Sequence, residues 1–163
     1  MLAIGQPVPD FDLAGIDSEG KEGRFTLKGL LEAKPYLVLY FYPKDQTPGC
    51  ITEACAFRDA QSDLESLATL VGISPDLPAS HLNFRTKQNL NFPLLSDPDK
   101  DMLRAYHAWG EKKVGGKIKE GVLRITCLIK ADGTLAKVWP KVKVKTHAEE
   151  VIEEIQDQMA QGD

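Results

Sequence analysis

The sequence predicts an α/β fold in which a central mixed sheet is flanked by helices. Three observations predict it. The unbroken apolar run Tyr36–Tyr42 (YLVLYFY), stopped by Pro43, reads as a strand buried on both faces. Strand-like and helix-like segments then alternate through the middle of the chain, which calls for βαβ units with parallel strands. Near the end, the turn Ala131-Asp132-Gly133-Thr134 separates two apolar stretches, so antiparallel strands join one side of the sheet.

The elements follow in order. Residues before Tyr36 form an N-terminal extension. Pro48 to about Ala68 is a helix, with Ile51, Ala54, Phe57, Leu64 and Leu67 near one face. Thr69–Ser74 (TLVGIS) is the second strand, Ala79–Leu90 the second helix and Phe92–Leu95 a short strand. Asp99–Ala108 is a third helix, Val122–Lys130 a long strand, and Leu135–Trp139 its antiparallel return. Thr146-His147-Ala148-Glu149 has the spacing of a capping box and starts a last helix running to about Met159. This order is that of a thioredoxin-like fold with extra N-terminal and middle elements, and residues 1–163 are expected to form one such domain.

Composition narrows the function. Apolar residues make up 42% and charged residues 27% of 163 residues, as in ordinary globular proteins. The net charge of −4 argues against general nucleic-acid binding. No apolar stretch approaches the ~20 residues of a membrane span. The opening MLAIGQPVPDFDL lacks a basic region followed by a long apolar one, so no signal peptide is expected. Three cysteines are an odd number, which suits a reducing compartment, and a cytoplasmic location is expected.

The chemistry concentrates in TPGCITEAC, residues 47–55. Thr47 suits a helix N-cap and Pro48 the first helical position. Gly49 lets the backbone approach a ligand closely. Cys50 then lies in the first turn, where unpaired N–H groups and the helix dipole favour a thiolate. The loop stands at the carboxyl end of a buried strand, where open α/β sheets bind ligands. Cys55 is harder to place. In an ideal helix, residues five apart have Cα atoms roughly 8.6 Å apart, beyond the ~7 Å reach of a disulfide. Either the two thiols never bond, or bonding unwinds the helix. Cys127 alternates with Ile125 and Ile129 and reads as core.

The stretch FYPKDQTPGCITEACAFRD, residues 41–59, resembles the active-site segment of the peroxiredoxins, most of all the bacterioferritin-comigratory-protein group, also called peroxiredoxin Q. The motif residues are Pro43, Thr47 and Cys50, with Cys55 at the spacing of that group's second cysteine. The resemblance continues through SDP at 96–98, WGEK at 109–112, an arginine-led strand at 124, DGT at 132–134 and VWPKVKVKTHAEEV. It departs at Ile51, Ile125 and Cys127.

The resemblance implies a peroxidase that reduces hydrogen peroxide and organic hydroperoxides without a cofactor or metal. Cys50 would be the peroxidatic thiolate, oxidised to a sulfenic acid. Thr47 would hydrogen-bond the thiolate and the peroxide, Pro43 would shield the site from water, and Arg124 would stabilise the thiolate and the developing charge. Cys55 would resolve the sulfenic acid as an intramolecular disulfide, leaving Cys127 as the other possible resolver. Thioredoxin or a glutaredoxin-type dithiol would recycle the enzyme, and the protein would be a monomer. Two other readings stand beside this one. A thiol–disulfide oxidoreductase on the same fold would need a redox dithiol, and no CxxC is present. A redox-switched sensor or holdase would use the disulfide as a signal.

The basic stretches KKVGGKIK (112–119) and KVKVK (141–145) read as a solvated loop and a lysine-guarded strand edge. Docking of an acidic reductase surface is the sharper reading of both. His81, His107 and His147 are scattered and make no zinc spacing with the cysteines.

Overall fold

The computed structural model describes residues 1–162. Its elements are β1 (Asp12–Ile16), β2 (Glu22–Thr26), α1 (Leu27–Leu31), β3 (Tyr36–Phe41), α2 (Pro48–Leu64), β4 (Ala68–Ser74) and α3 (Pro78–Gln88). They continue with β5 (Leu94–Ser96), α4 (Asp101–Ala105), β6 (Trp109–Val114), β7 (Lys117–Val122), β8 (Thr126–Lys130), β9 (Leu135–Trp139) and α5 (His147–Gln161). A seven-stranded sheet has the order β2-β1-β5-β4-β3-β8-β9, and β6 and β7 form a separate ribbon. The pairs β3–β4 and β4–β5 are parallel; β3–β8, β8–β9, β1–β2 and β1–β5 are antiparallel. The mixed sheet is therefore as expected.

Strand periodicity divides the core in two. Successive side chains of β3 point to opposite faces. Val38, Tyr40 and Tyr42 join Phe57 and Leu64 of α2, Phe84 of α3 and Val151 and Ile155 of α5 in one cluster. Leu37, Leu39 and Phe41 join Leu27 of α1 and Leu103 of α4 in the other. Burial on both faces is why this strand carries no polar alternation.

The expected N-terminal extension is present, and takes the form of a β-hairpin, β1–β2, that completes one edge of the sheet, followed by the short α1. Several expectations need correction. The basic loop 112–119 is the β6–β7 hairpin, closed by Gly115 and Gly116 at φ 59° and 81°, the left-handed conformations a tight hairpin turn requires. Its mostly exposed lysine-rich strands lack the apolar alternation that marks a half-buried strand. KVKVK lies outside any strand, between β9 and α5, with Val142 packed on the core. The long strand at 122–130 is broken, with Val122 ending β7 and β8 starting at Thr126, so Arg124 sits in the connecting segment. The third helix shrinks to α4, followed by His107 at φ 61°. Thr146 makes no capping bond; its hydroxyl donates instead to Glu150 Oε1 at 3.3 Å.

Candidate active site

Strand β3 delivers the chain to the loop 42–47, and α2 carries it away. Thr47 is the N-cap residue in extended conformation, Pro48 opens the helix, and the Ile51 N–H makes the first helical bond to the Thr47 carbonyl at 2.8 Å. The N–H groups of Gly49 and Cys50 thus stand at the open end of α2. The Thr47 hydroxyl does not cap the helix as expected. It donates to the Lys44 carbonyl at 2.8 Å, holding the loop on itself. Pro43 is half-buried at the start of this loop.

Cys50 is 1% exposed. Arg124 reaches it from the segment between β7 and β8 and donates from Nη2 to Cys50 Sγ at 3.2 Å. The other arm of the guanidinium donates from Nη1 to Glu53 Oε1 at 2.9 Å. One fork therefore bridges two side chains three residues apart on the first turns of α2. Gly49 serves this contact: a Cβ there would lie 2.8 Å from Arg124 Nη2. The sequence reading gave Gly49 room for a ligand; in the fold that room is taken by the arginine.

Glu53 was missed in the sequence. Burial pushes its carboxyl up to about 7, against the opposing pull of the Arg124 charge and hydrogen bond. Its second oxygen, Oε2, is buried without a partner, as is the hydroxyl of Tyr40. The signal was present as an acidic residue three places after Cys50, on the same helix face.

Cys55 lies further along the unbroken α2, and both cysteines are free. Its Sγ–H donates to Gln88 Oε1 of α3 at 3.6 Å, and Arg58 Nη1 holds the Gln88 carbonyl at 2.7 Å. Helical spacing keeps the two thiols apart. Cys127 is buried on β8, with its thiol pushed up to about 12 by desolvation. The fold thus brings Cys50 and Arg124 into contact and leaves Cys55 and Cys127 outside that contact.

The family model described as AhpC/TSA matches residues 4–138, a span that contains every one of these groups. The chain belongs to the AhpC/TSA family. This AhpC/TSA chain is 43% identical over 157 residues to peroxiredoxin Bcp of Bacillus subtilis, covering 96% of each protein. It is also similar to the solved bacterioferritin comigratory protein of Xanthomonas campestris, studied for its alkyl peroxide reduction activity: TM-score 0.82, 36% identity, 96% of this chain and 99% of that one. A PrxQ mutant of Xylella fastidiosa gives a TM-score of 0.86 at 34% identity, over 98% of each chain. The thioredoxin-like architecture expected from the element order is the fold these structures share. Among the described residues, no helix is long and apolar enough to cross a membrane.

Proposed function

We infer that this chain is a thiol-dependent peroxidase that acts through Cys50. The observation that carries the reading is the Arg124 Nη2–Cys50 Sγ contact at 3.2 Å, made at the open N-terminus of α2. A cation and free N–H groups around one sulfur favour its thiolate, the nucleophilic form. They also face the oxygen on which charge develops during attack.

The Cys50 thiolate attacks one peroxide oxygen. An S–O bond forms, the O–O bond breaks, and the departing oxygen takes a proton to leave as water or alcohol. Cys50 becomes a sulfenic acid, a two-electron oxidation. Thr47 orients the peroxide by turning its hydroxyl from Lys44, and Pro43 limits water at the loop. The Cys55 thiolate then attacks Cys50 Sγ, expels the oxygen as water and leaves an intramolecular disulfide. This requires the first turns of α2 to unwind, because helical spacing forbids the bond. Thioredoxin or a glutaredoxin-type dithiol returns two electrons by exchange. The desolvated thiol of Cys127 favours Cys55 over it as resolver. Hydrogen peroxide and organic hydroperoxides are the substrates, with the protein acting as a cytoplasmic monomer. The resemblance and the odd cysteine count support that setting.

Steady-state peroxide turnover with thioredoxin and its reductase tests the reading. Activity is expected to vanish in Cys50→Ser. In Cys55→Ser, Cys50 is still oxidised in one turnover while recycling is impaired. Wild-type turnover in Cys50→Ser would overturn the assignment.

A further inference from the structure

Behind the loop that presents Thr47 and Cys50 lies a buried polar cluster with no part in the chemistry just described. Asp45 is 4% exposed and His81 of α3 is fully buried. The Asp45 carboxylate takes three donors: Tyr42 Oη at 2.6 Å on Oδ1, and Ser80 Oγ and His81 Nδ1, each at 2.8 Å, on Oδ2. The Asp45 N–H donates to Asp76 Oδ2 at 2.8 Å, and Asp76 in turn accepts from Ser74 Oγ at 2.8 Å. His81 Nε2 is 2.9 Å from the Leu95 carbonyl. A carbonyl only accepts, so Nε2 carries a proton, and a second proton lies between Nδ1 and Oδ2. The Asp45–His81 pair is thus neutral as a whole and satisfied on every side, as burial demands.

The geometry ties one residue of the loop to three other elements: the end of β4 through Asp76 and Ser74, α3 through Ser80 and His81, and β5 through Leu95. The next residue, Gln46, is held at φ 66°, a strained conformation that survives only where its surroundings impose it. Thr47 and Cys50 follow directly.

We propose that Asp45 and His81 are positioning residues: their buried pair anchors the loop 43–47 to α3 and β5, and so sets Thr47 and Cys50 in the geometry that reacts with peroxide. The inference rests on the thiol peroxidase reading above. The anchor lies upstream of the helical turns that must unwind before Cys55 can reach Cys50. Losing it therefore slows oxidation of Cys50 without opposing disulfide formation.

Single-turnover oxidation by hydrogen peroxide, followed by rapid quench, thiol trapping and mass spectrometry, reads both steps separately. Asp45→Ala and His81→Ala are each expected to lower the oxidation rate at least about tenfold, the scale of a misplaced reacting group. The rate of disulfide formation from the oxidised state does not fall. The double variant is no slower than the slower single one within about twofold, because the two residues act as one unit. Asp45→Asn recovers most of the rate, since its amide oxygen still accepts from Tyr42 while its NH₂ donates to Nδ1 of the neutral His81 and to Ser80 Oγ, which turns to accept. Should Asp45→Ala fail to fold, Ser80→Ala removes one of the three donors and is expected to cost about threefold by the same reasoning. Oxidation at the wild-type rate in folded Asp45→Ala, His81→Ala or Ser80→Ala would overturn the proposal. So would equal losses in both steps, additive losses in the double variant, or an Asp45→Asn as slow as Asp45→Ala. Failure of the wild-type protein to oxidise Cys50 would instead bring down the peroxidase reading, and the anchor with it.

Discussion

Replacing Glu53 by glutamine separates the cost of a buried carboxylate from its bond to Arg124. The side chain is 1% exposed, and its carboxyl is pushed from 4.5 up to about 7, mainly by burial. A raised carboxyl value means that the folded protein binds this proton more tightly than the unfolded chain does. The stability it contributes is full below about pH 4.5 and is lost as the pH rises through about 7. Between about pH 5 and about pH 8 the loss works out to about 2.5 kcal/mol. Glutamine cannot titrate, yet its carbonyl oxygen keeps the acceptor for Arg124 Nη1. His147 works the other way. Burial pushes its imidazole down to about 4, so it contributes stability that is lost as the pH falls from about 6.5 to about 4. Between about pH 5 and about pH 8 it adds about 2 kcal/mol as the pH rises, so these two groups nearly cancel in the wild-type profile. Urea unfolding of wild type and Glu53→Gln at both pH values, with thiols kept reduced, isolates Glu53 as a double difference. The variant should gain about 2.5 kcal/mol on the wild type from the lower to the higher pH. A double difference within about 0.5 kcal/mol of zero, or of opposite sign, would refute the reasoning.

Arg124→Ala should lower the second-order rate of Cys50 oxidation about a hundredfold or more by stopped-flow, and Arg124→Lys should recover it only in part, because an ammonium cannot serve Cys50 and Glu53 as one planar fork. Gly49→Ala should cost about tenfold in the same assay with an unchanged circular dichroism spectrum, because its Cβ would displace Arg124 Nη2. Cys127→Ser should keep full peroxide turnover while losing about 1 kcal/mol in urea unfolding, from a hydroxyl placed in an apolar site; impaired recycling in this variant would make Cys127 a redox participant.

Much of the fold was legible because local patterns and tertiary burial agree. The run YLVLYFY is a strand filling both faces, and Thr47-Pro48 opens α2, as an N-cap residue followed by proline at the first helical position favours. The β6–β7 hairpin was not legible, since its strands bury little and carry lysines where a core-facing strand carries valines. Capping bonds misled for a related reason: Thr47 and Thr146 have the right chemistry, but neither hydroxyl oxygen accepts from a helix N–H, the Thr47 side chain being turned to donate to the Lys44 carbonyl and Thr146 lacking the extended backbone of a cap.

The sequence by itself determined that a thiol stands in the first turn of a helix after a buried strand, with a second thiol held out of reach by helical spacing. Both follow from short-range geometry. Only the tertiary structure decided that Arg124, 74 residues away, meets that sulfur. It alone made Glu53 a buried partner of the same guanidinium and locked Asp45 to His81 across 36 residues. Those contacts depend on how β8, α3 and β5 are laid against β3 and α2, and local sequence does not encode the energy of a pair brought together only by the packed sheet.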